Sequence, residues 1–126
     1  MPKQTHDVAG AVRPIGPYSI AAEANGFVFI SGQVAIDPGA NLPVPGDVTV
    51  QARRVMENIR LILDGLSLGF EDVVKTTIFL ADIADFPTVN EVYGTYFTTA
   101  PPARSTVQVG ALPGGFLVEI EAIAAR

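Results

Sequence analysis

Between Asp47 and Leu66 the apolar residues Ala52, Val55, Met56, Ile59, Ile62, Leu63 and Leu66 recur at steps of three and four. That spacing lays a single stripe along an α-helix, and it constrains the fold because a stripe of this width must be buried against something flat and apolar. Asp47 stands where the N-cap of that helix belongs. Only one other segment, 85–98, has a helical period, with Phe86, Val89, Tyr93 and Phe97 on one side and Pro101-Pro102 as the stop. Two helices cover one face of a sheet.

The rest of the apolar sequence reads as strands. Residues 18–25 and 27–34 flank Asn25-Gly26, a strong hairpin signal. Residues 35–46 carry Asp37-Pro38-Gly39 and Pro43-Val44-Pro45-Gly46, which predicts a loop with at most a short edge strand. Strands are predicted over 73–80, 103–109 and 117–125, the last two joined by Leu112-Pro113-Gly114-Gly115. The expected class is therefore α+β. In 27–31, Phe27, Phe29 and Ser31 alternate with Val28 and Ile30, so this strand is apolar on both sides. The face without helices is expected to need another subunit to cover it.

Composition removes whole classes of chemistry. At 126 residues and 48% hydrophobic content, residues 1–126 are expected to form one domain with a sufficient core. There is no cysteine, hence no disulfide, thiolate nucleophile or cysteine metal site. The one histidine, His6, lies in a polar segment and is expected to be solvated and inert, which leaves no material for a histidine triad or a two-histidine metal site. Acid–base work falls to carboxylates, tyrosines, lysines or water. A net charge of -5 opposes a nucleic-acid surface. Arg53, Arg54 and Arg60 cluster on the first helix beside Glu57 and Asp64 and are expected to form a solvated face. No secretory signal or membrane span is read, so a cytoplasmic location is expected.

The chemistry-bearing residues lie late in the chain. Arg104 opens a strand after two prolines, and Glu119 lies fifteen residues on, in Val118-Glu119-Ile120-Glu121. The reading places them on neighbouring strands. A guanidinium fork matches a carboxylate bidentately, and a glutamate can hold a water or balance a cationic nitrogen, which points to a small, amino-acid-like substrate. The plainer alternative is an exposed strand-end charge opposite the polar face of a half-buried strand.

Several further segments occur together: Ile15-Gly16-Pro17-Tyr18, Ile30-Ser31-Gly32-Gln33, Gln51-Ala52-Arg53, Val74-Lys75-Thr76-Thr77-Ile78-Phe79, Val89-Asn90-Glu91-Val92-Tyr93, and the two strands above. In this order, over nearly the whole chain, they resemble the RidA/YjgF family of reactive intermediate deaminases. The resemblance implies a chorismate-mutase-like fold, a mixed β-sheet with two helices on one face, assembled as a homotrimer with its sites in clefts between neighbours. It implies no cofactor and no metal, and small 2-imino or enamine acids as partners.

By the same resemblance Arg104 binds the substrate carboxylate and Glu119 positions or activates the attacking water. Tyr18, Ser31, Gly32 and Asn90 line the pocket, and Glu121 has a more structural place. Thr106 departs from the best-known members, which carry cysteine there, and puts pocket polarity and substrate preference in doubt. The implied activity is that of a 2-iminobutanoate/2-iminopropanoate deaminase, converting imines released by pyridoxal-phosphate dehydratases to 2-keto acids and ammonia. The alternatives are a specialised deaminase of the 2-aminomuconate type, a ribonuclease-type member, and a ligand-binding or chaperone-like module without turnover.

Overall fold

The computed structural model describes residues 2–126. In chain order its elements are β1 (Gln4–His6), β2 (Ala21–Ala24), β3 (Phe27–Gln33), β4 (Ile36–Asp37), β5 (Leu42–Pro43), α1 (Val48–Gly65), β6 (Val73–Leu80), α2 (Phe86–Gly94), β7 (Ala103–Gln108) and β8 (Val118–Ala125). Six strands form one mixed sheet in the order β1-β2-β3-β8-β6-β7, and β4 and β5 form a separate two-stranded ribbon. All pairings in the large sheet are antiparallel except β6 with β7, which the intervening α2 makes parallel.

The predicted hairpin is present. Asn25 and Gly26 both take positive φ, at 53° and 80°, as a tight two-residue turn requires. Asp47 caps α1, its carboxylate accepting from the Val50 amide at 3.0 Å. The stripe of α1 is buried as expected, Val55 and Ile62 completely. It packs on β3 and β8 and shares one core with Val28 and Ile30 of β3, Ile78 and Leu80 of β6, and Val118, Ile120, Ala122 and Ala124 of β8, all 3% exposed or less. Each such aliphatic side chain larger than alanine contributes about 1.5–3 kcal/mol by leaving water.

The opposite face is bare. Phe27, Phe29 and Val107 are 45%, 47% and 43% exposed, in line with the two-sided pattern of 27–31.

Three expectations need correction. The chain enters β2 only at Ala21, because Gly16-Pro17-Tyr18 closes a turn in which the Tyr18 amide donates to the Gly16 carbonyl at 2.8 Å. α2 ends at Gly94 rather than 98. The Thr95 hydroxyl takes the Val92 carbonyl at 2.7 Å, and Phe97 folds back onto Tyr93 at 4.7 Å between ring centroids. His6 is not free in solvent. It sits in β1, an edge strand with no apolar alternation to announce it, and its Nε2 lies 2.9 Å from Glu23 Oε1. Glu23 also accepts from Arg126 Nε at 2.8 Å, and these two hydrogen bonds, Arg126 first, hold its carboxyl below the usual range.

The arginine face of α1 is solvated as expected, with Arg53, Arg60 and Asp64 exposed, and it also makes contacts within the chain. Arg60 lies over the Phe70 and Tyr96 rings at 5.6 and 5.4 Å. Tyr96 donates its hydroxyl to Glu57 at 2.7 Å, and burial first, then that bond, pushes the phenol up to about 12. Arg54 donates to Asn58 at 3.0 Å. Two of the three arginines are thus committed to contacts within the chain.

Candidate functional site

Arg104 is the second residue of β7, where the chain emerges from Pro101-Pro102. Its register partner on β6 is Thr76, so its side chain leaves on the helix-covered face and meets α2. There Nη1 donates to Asn90 Oδ1 at 2.7 Å, and the guanidinium carbon stands 5.0 Å from the centroid of Tyr93 and 5.4 Å from that of Phe86. Tyr93 is itself fixed from below, its hydroxyl 2.6 Å from Thr76 Oγ1 in the core. None of these neighbours is anionic, and Arg104 makes no ion pair among the described residues. The result is an ordered cation with spare donors, held by an amide and two π faces. It borders a cleft of about 450 Å³ with Asn90, Tyr93, Phe97, Pro101 and Pro102.

Thr106 follows Arg104 on the same face, as two-residue spacing predicts. Its Oγ1 is buried without a hydrogen-bond partner among the described residues.

Glu119 is elsewhere. Its register partner is Phe79, which also pairs with Val107, and all three point to the bare face. The expectation that Arg104 and Glu119 occupy neighbouring strands is wrong, since β6 lies between β7 and β8. Two strand spacings and a three-residue offset separate their Cα atoms by roughly 14 Å, with the side chains on opposite faces. The connection from β7 to β8 is short in sequence, yet β6 takes the central place because its Ile78 and Leu80 are buried on the helix-covered side.

Around Glu119 the bare face deepens into a cleft of about 600 Å³, lined among others by Tyr18, Ser31, Gly32, Phe116 and Glu121. Gly32 leaves room for the Glu119 carboxylate: a Cβ built there would meet it and push that side chain aside. Burial first, then the neighbouring Glu121 carboxylate, raises the Glu119 pKa above the ordinary glutamate value. No cation pairs with Glu119 among the described residues. Ser31 contributes mainly as a brace, its hydroxyl donating to the Ser19 carbonyl at 2.6 Å beside Tyr18. The expected site residues therefore divide into two groups: Tyr18, Ser31, Gly32, Glu119 and Glu121 on one face, and Asn90, Arg104 and Thr106 on the other.

Residue types alone missed the supports of both groups. Asn58 of α1, 1% exposed, donates from Nδ2 to the Val34 and Ile36 carbonyls at 3.2 and 2.9 Å, and so fixes one wall of the Glu119 cleft. Gln51, one heptad earlier, accepts from the Leu117 amide at 2.9 Å, two residues before Glu119. Their signal in the sequence is an amide interrupting an apolar stripe, which in a buried position demands a partner. The helical period of 85–98 marks Tyr93 as inward and carries no signal of its place under Arg104.

Comparison with known proteins agrees with this architecture. The family profile described as Endoribonuclease L-PSP matches residues 8–126. Protein DfrA of Myxococcus xanthus is 55% identical over 116 residues, covering 90% of this chain and 88% of its own. The 2-iminobutanoate/2-iminopropanoate deaminase of Mus musculus is 50% identical over 112 residues, covering 89% of this chain and 83% of its own. The solved structure of the Rid-family protein YyfA from Yersinia pestis, titled as of unknown function, superposes with a TM-score of 0.95 at 43% identity, covering 99% of this chain and 100% of that one. A profile match over nearly the full length, with half the residues shared and the same backbone path, leaves one assignment: this chain belongs to the RidA/YjgF family.

Proposed function

We propose that this protein is a deaminase of small 2-imino acids, hydrolysing 2-iminobutanoate and 2-iminopropanoate, or the enamines from which they form, to 2-keto acids and ammonia. The observation that carries the reading is a matched pair of unsatisfied charges: Arg104, ordered but without a counterion, and Glu119, a carboxyl of raised pKa without a cation. A 2-imino acid presents a carboxylate to the first and an electrophilic carbon, with water beside it, to the second. Mammalian relatives at about half identity carry the deaminase name, which supports the same chemistry.

In this mechanism Arg104 takes the substrate carboxylate through the guanidinium nitrogens that Asn90 leaves free. Glu119 accepts a proton from water as the water oxygen bonds to C2 and the C=N π pair moves to nitrogen. The same carboxyl returns that proton to nitrogen, which gives a 2-amino-2-hydroxy acid; it then takes the hydroxyl proton and passes it to the amino nitrogen as C2–N breaks, so ammonia leaves and the C2–O bond becomes the carbonyl of the keto acid. A carboxyl whose pKa burial raises is a better base than an ordinary glutamate, and the proton it takes in the first half is the one it gives back in the second. Starting from the enamine, a proton must first reach C3. The demand is modest because free imines hydrolyse unaided, so orientation supplies much of the effect.

Since Arg104 and Glu119 leave opposite faces of one sheet, one copy cannot present both to a single small acid. Assembly into a homotrimer with intersubunit sites resolves this: the bare face of one copy, carrying Glu119, meets the Arg104 edge of the next. The exposed Phe27, Phe29 and Val107 supply the apolar area for that contact.

The test couples a threonine dehydratase and L-threonine to the purified protein with semicarbazide as imine trap. Wild type is expected to divert flux from semicarbazone to 2-ketobutyrate, and Arg104→Ala to lose about 100-fold in kcat/KM, the worth of a charge-assisted clamp. No diversion by wild type overturns the substrate assignment.

A further inference from the structure

We propose that Tyr93 and Thr76 are positioning residues for Arg104, their mutual hydrogen bond fixing the aromatic ring on which the guanidinium rests. Thr76 is the register partner of Arg104 across the β6–β7 ladder, so one rung of the sheet carries both the guanidinium and the anchor for its platform. The platform comes from α2: Tyr93 OH lies 2.6 Å from Thr76 Oγ1, and the two residues are 5% and 2% exposed. The ring centroid is 5.0 Å from the Arg104 guanidinium carbon. Asn90, one turn earlier on α2, fixes Nη1 at 2.7 Å but supplies a single hydrogen bond, which leaves the guanidinium plane free to rotate about that contact. A ring held at two points removes this freedom: Phe97 packs against Tyr93 at 4.7 Å between centroids, tilted by 41°, and Thr76 holds the hydroxyl. The buried Thr76 hydroxyl is satisfied by the Tyr93 hydroxyl. Catalytic positioning rests on the deaminase reading above, whereas the order of the guanidinium is measurable without turnover.

Two nearly isosteric variants separate positioning from packing. Tyr93→Phe keeps the ring and removes the hydroxyl; Thr76→Val keeps the shape and removes its partner. In ¹⁵N-labelled protein the Arg104 Nε–H resonance, identified by its change in Arg104→Lys, reports guanidinium order through its heteronuclear NOE. Both variants are expected to lower that order and to raise KM about fivefold with kcat nearly unchanged, the worth of one net hydrogen bond. The double variant is expected to be no worse than either single one, because a single bond is lost in each case. Unchanged order in folded variants, even with a lowered melting temperature, overturns the proposal and makes the pair merely structural. So does full additivity in the double variant. If wild type shows no deaminase turnover, the kinetic arm falls with the deaminase reading, and the NOE still decides whether Tyr93 and Thr76 order Arg104.

Discussion

At the scale of single residues, Glu119 carries an energetic cost that its proposed role explains. Its carboxyl has a raised pKa in the fold, so the folded state binds the proton more tightly than the unfolded chain. Stability contributed by the protonated form is complete below the unfolded value and is lost as pH rises through the folded one. Glu119→Gln is therefore expected to be more heat-stable than wild type at neutral pH, with the advantage vanishing in acid. Activity should fall about 10²-fold or more, as for removal of a general base. Thermal unfolding from pH 4 to 8, beside the coupled dehydratase assay, checks both. Arg104 was legible as a strand-start guanidinium, a candidate for a carboxylate, from its residue type and the preceding prolines. The neutrality of its surroundings was not, because Asn90, Phe86 and Tyr93 become its neighbours only through the packing of α2 on β6 and β7.

At the scale of elements, periodicity revealed what burial controls. The α1 stripe, the Asn25-Gly26 hairpin and β6, β7 and β8 follow from apolar spacing and turn chemistry, and they lie within a few residues of the expected bounds. Elements governed by hydrogen bonds escaped. β1 is a polar edge strand joined through backbone pairing to β2, and α2 stops where a threonine hydroxyl competes for a carbonyl. Strand order escaped too, since β7 and β8 are consecutive in sequence and only the burial of β6 separates them. The amides of α1 show how an element remote from the chemistry shapes it. Asn58→Ala leaves the Val34 and Ile36 carbonyls without their donor, at an expected cost of about 2–3 kcal/mol. The same variant should raise KM by loosening the cleft wall that these residues form. A melting curve and a substrate titration of this variant measure the two effects.

At the scale of the whole molecule, the proposed site depends on geometry, because Arg104 and Glu119 lie on opposite faces of one sheet. The bare apolar face was legible in the alternation of 27–31, which is apolar on both sides. Which residues each face presents was not legible without the register. The most direct test is complementation. Arg104→Ala and Glu119→Gln, each nearly inactive, are mixed in equal amounts, unfolded together and refolded, and the imine-trapping assay is repeated. If each site takes Arg104 from one copy and Glu119 from its neighbour, random assembly leaves about one quarter of the sites with both groups intact, and about a quarter of wild-type activity returns. If both groups served a single site within one copy, no mixture would contain an intact pair. Activity would then stay at the level of the separate variants, contradicting the account.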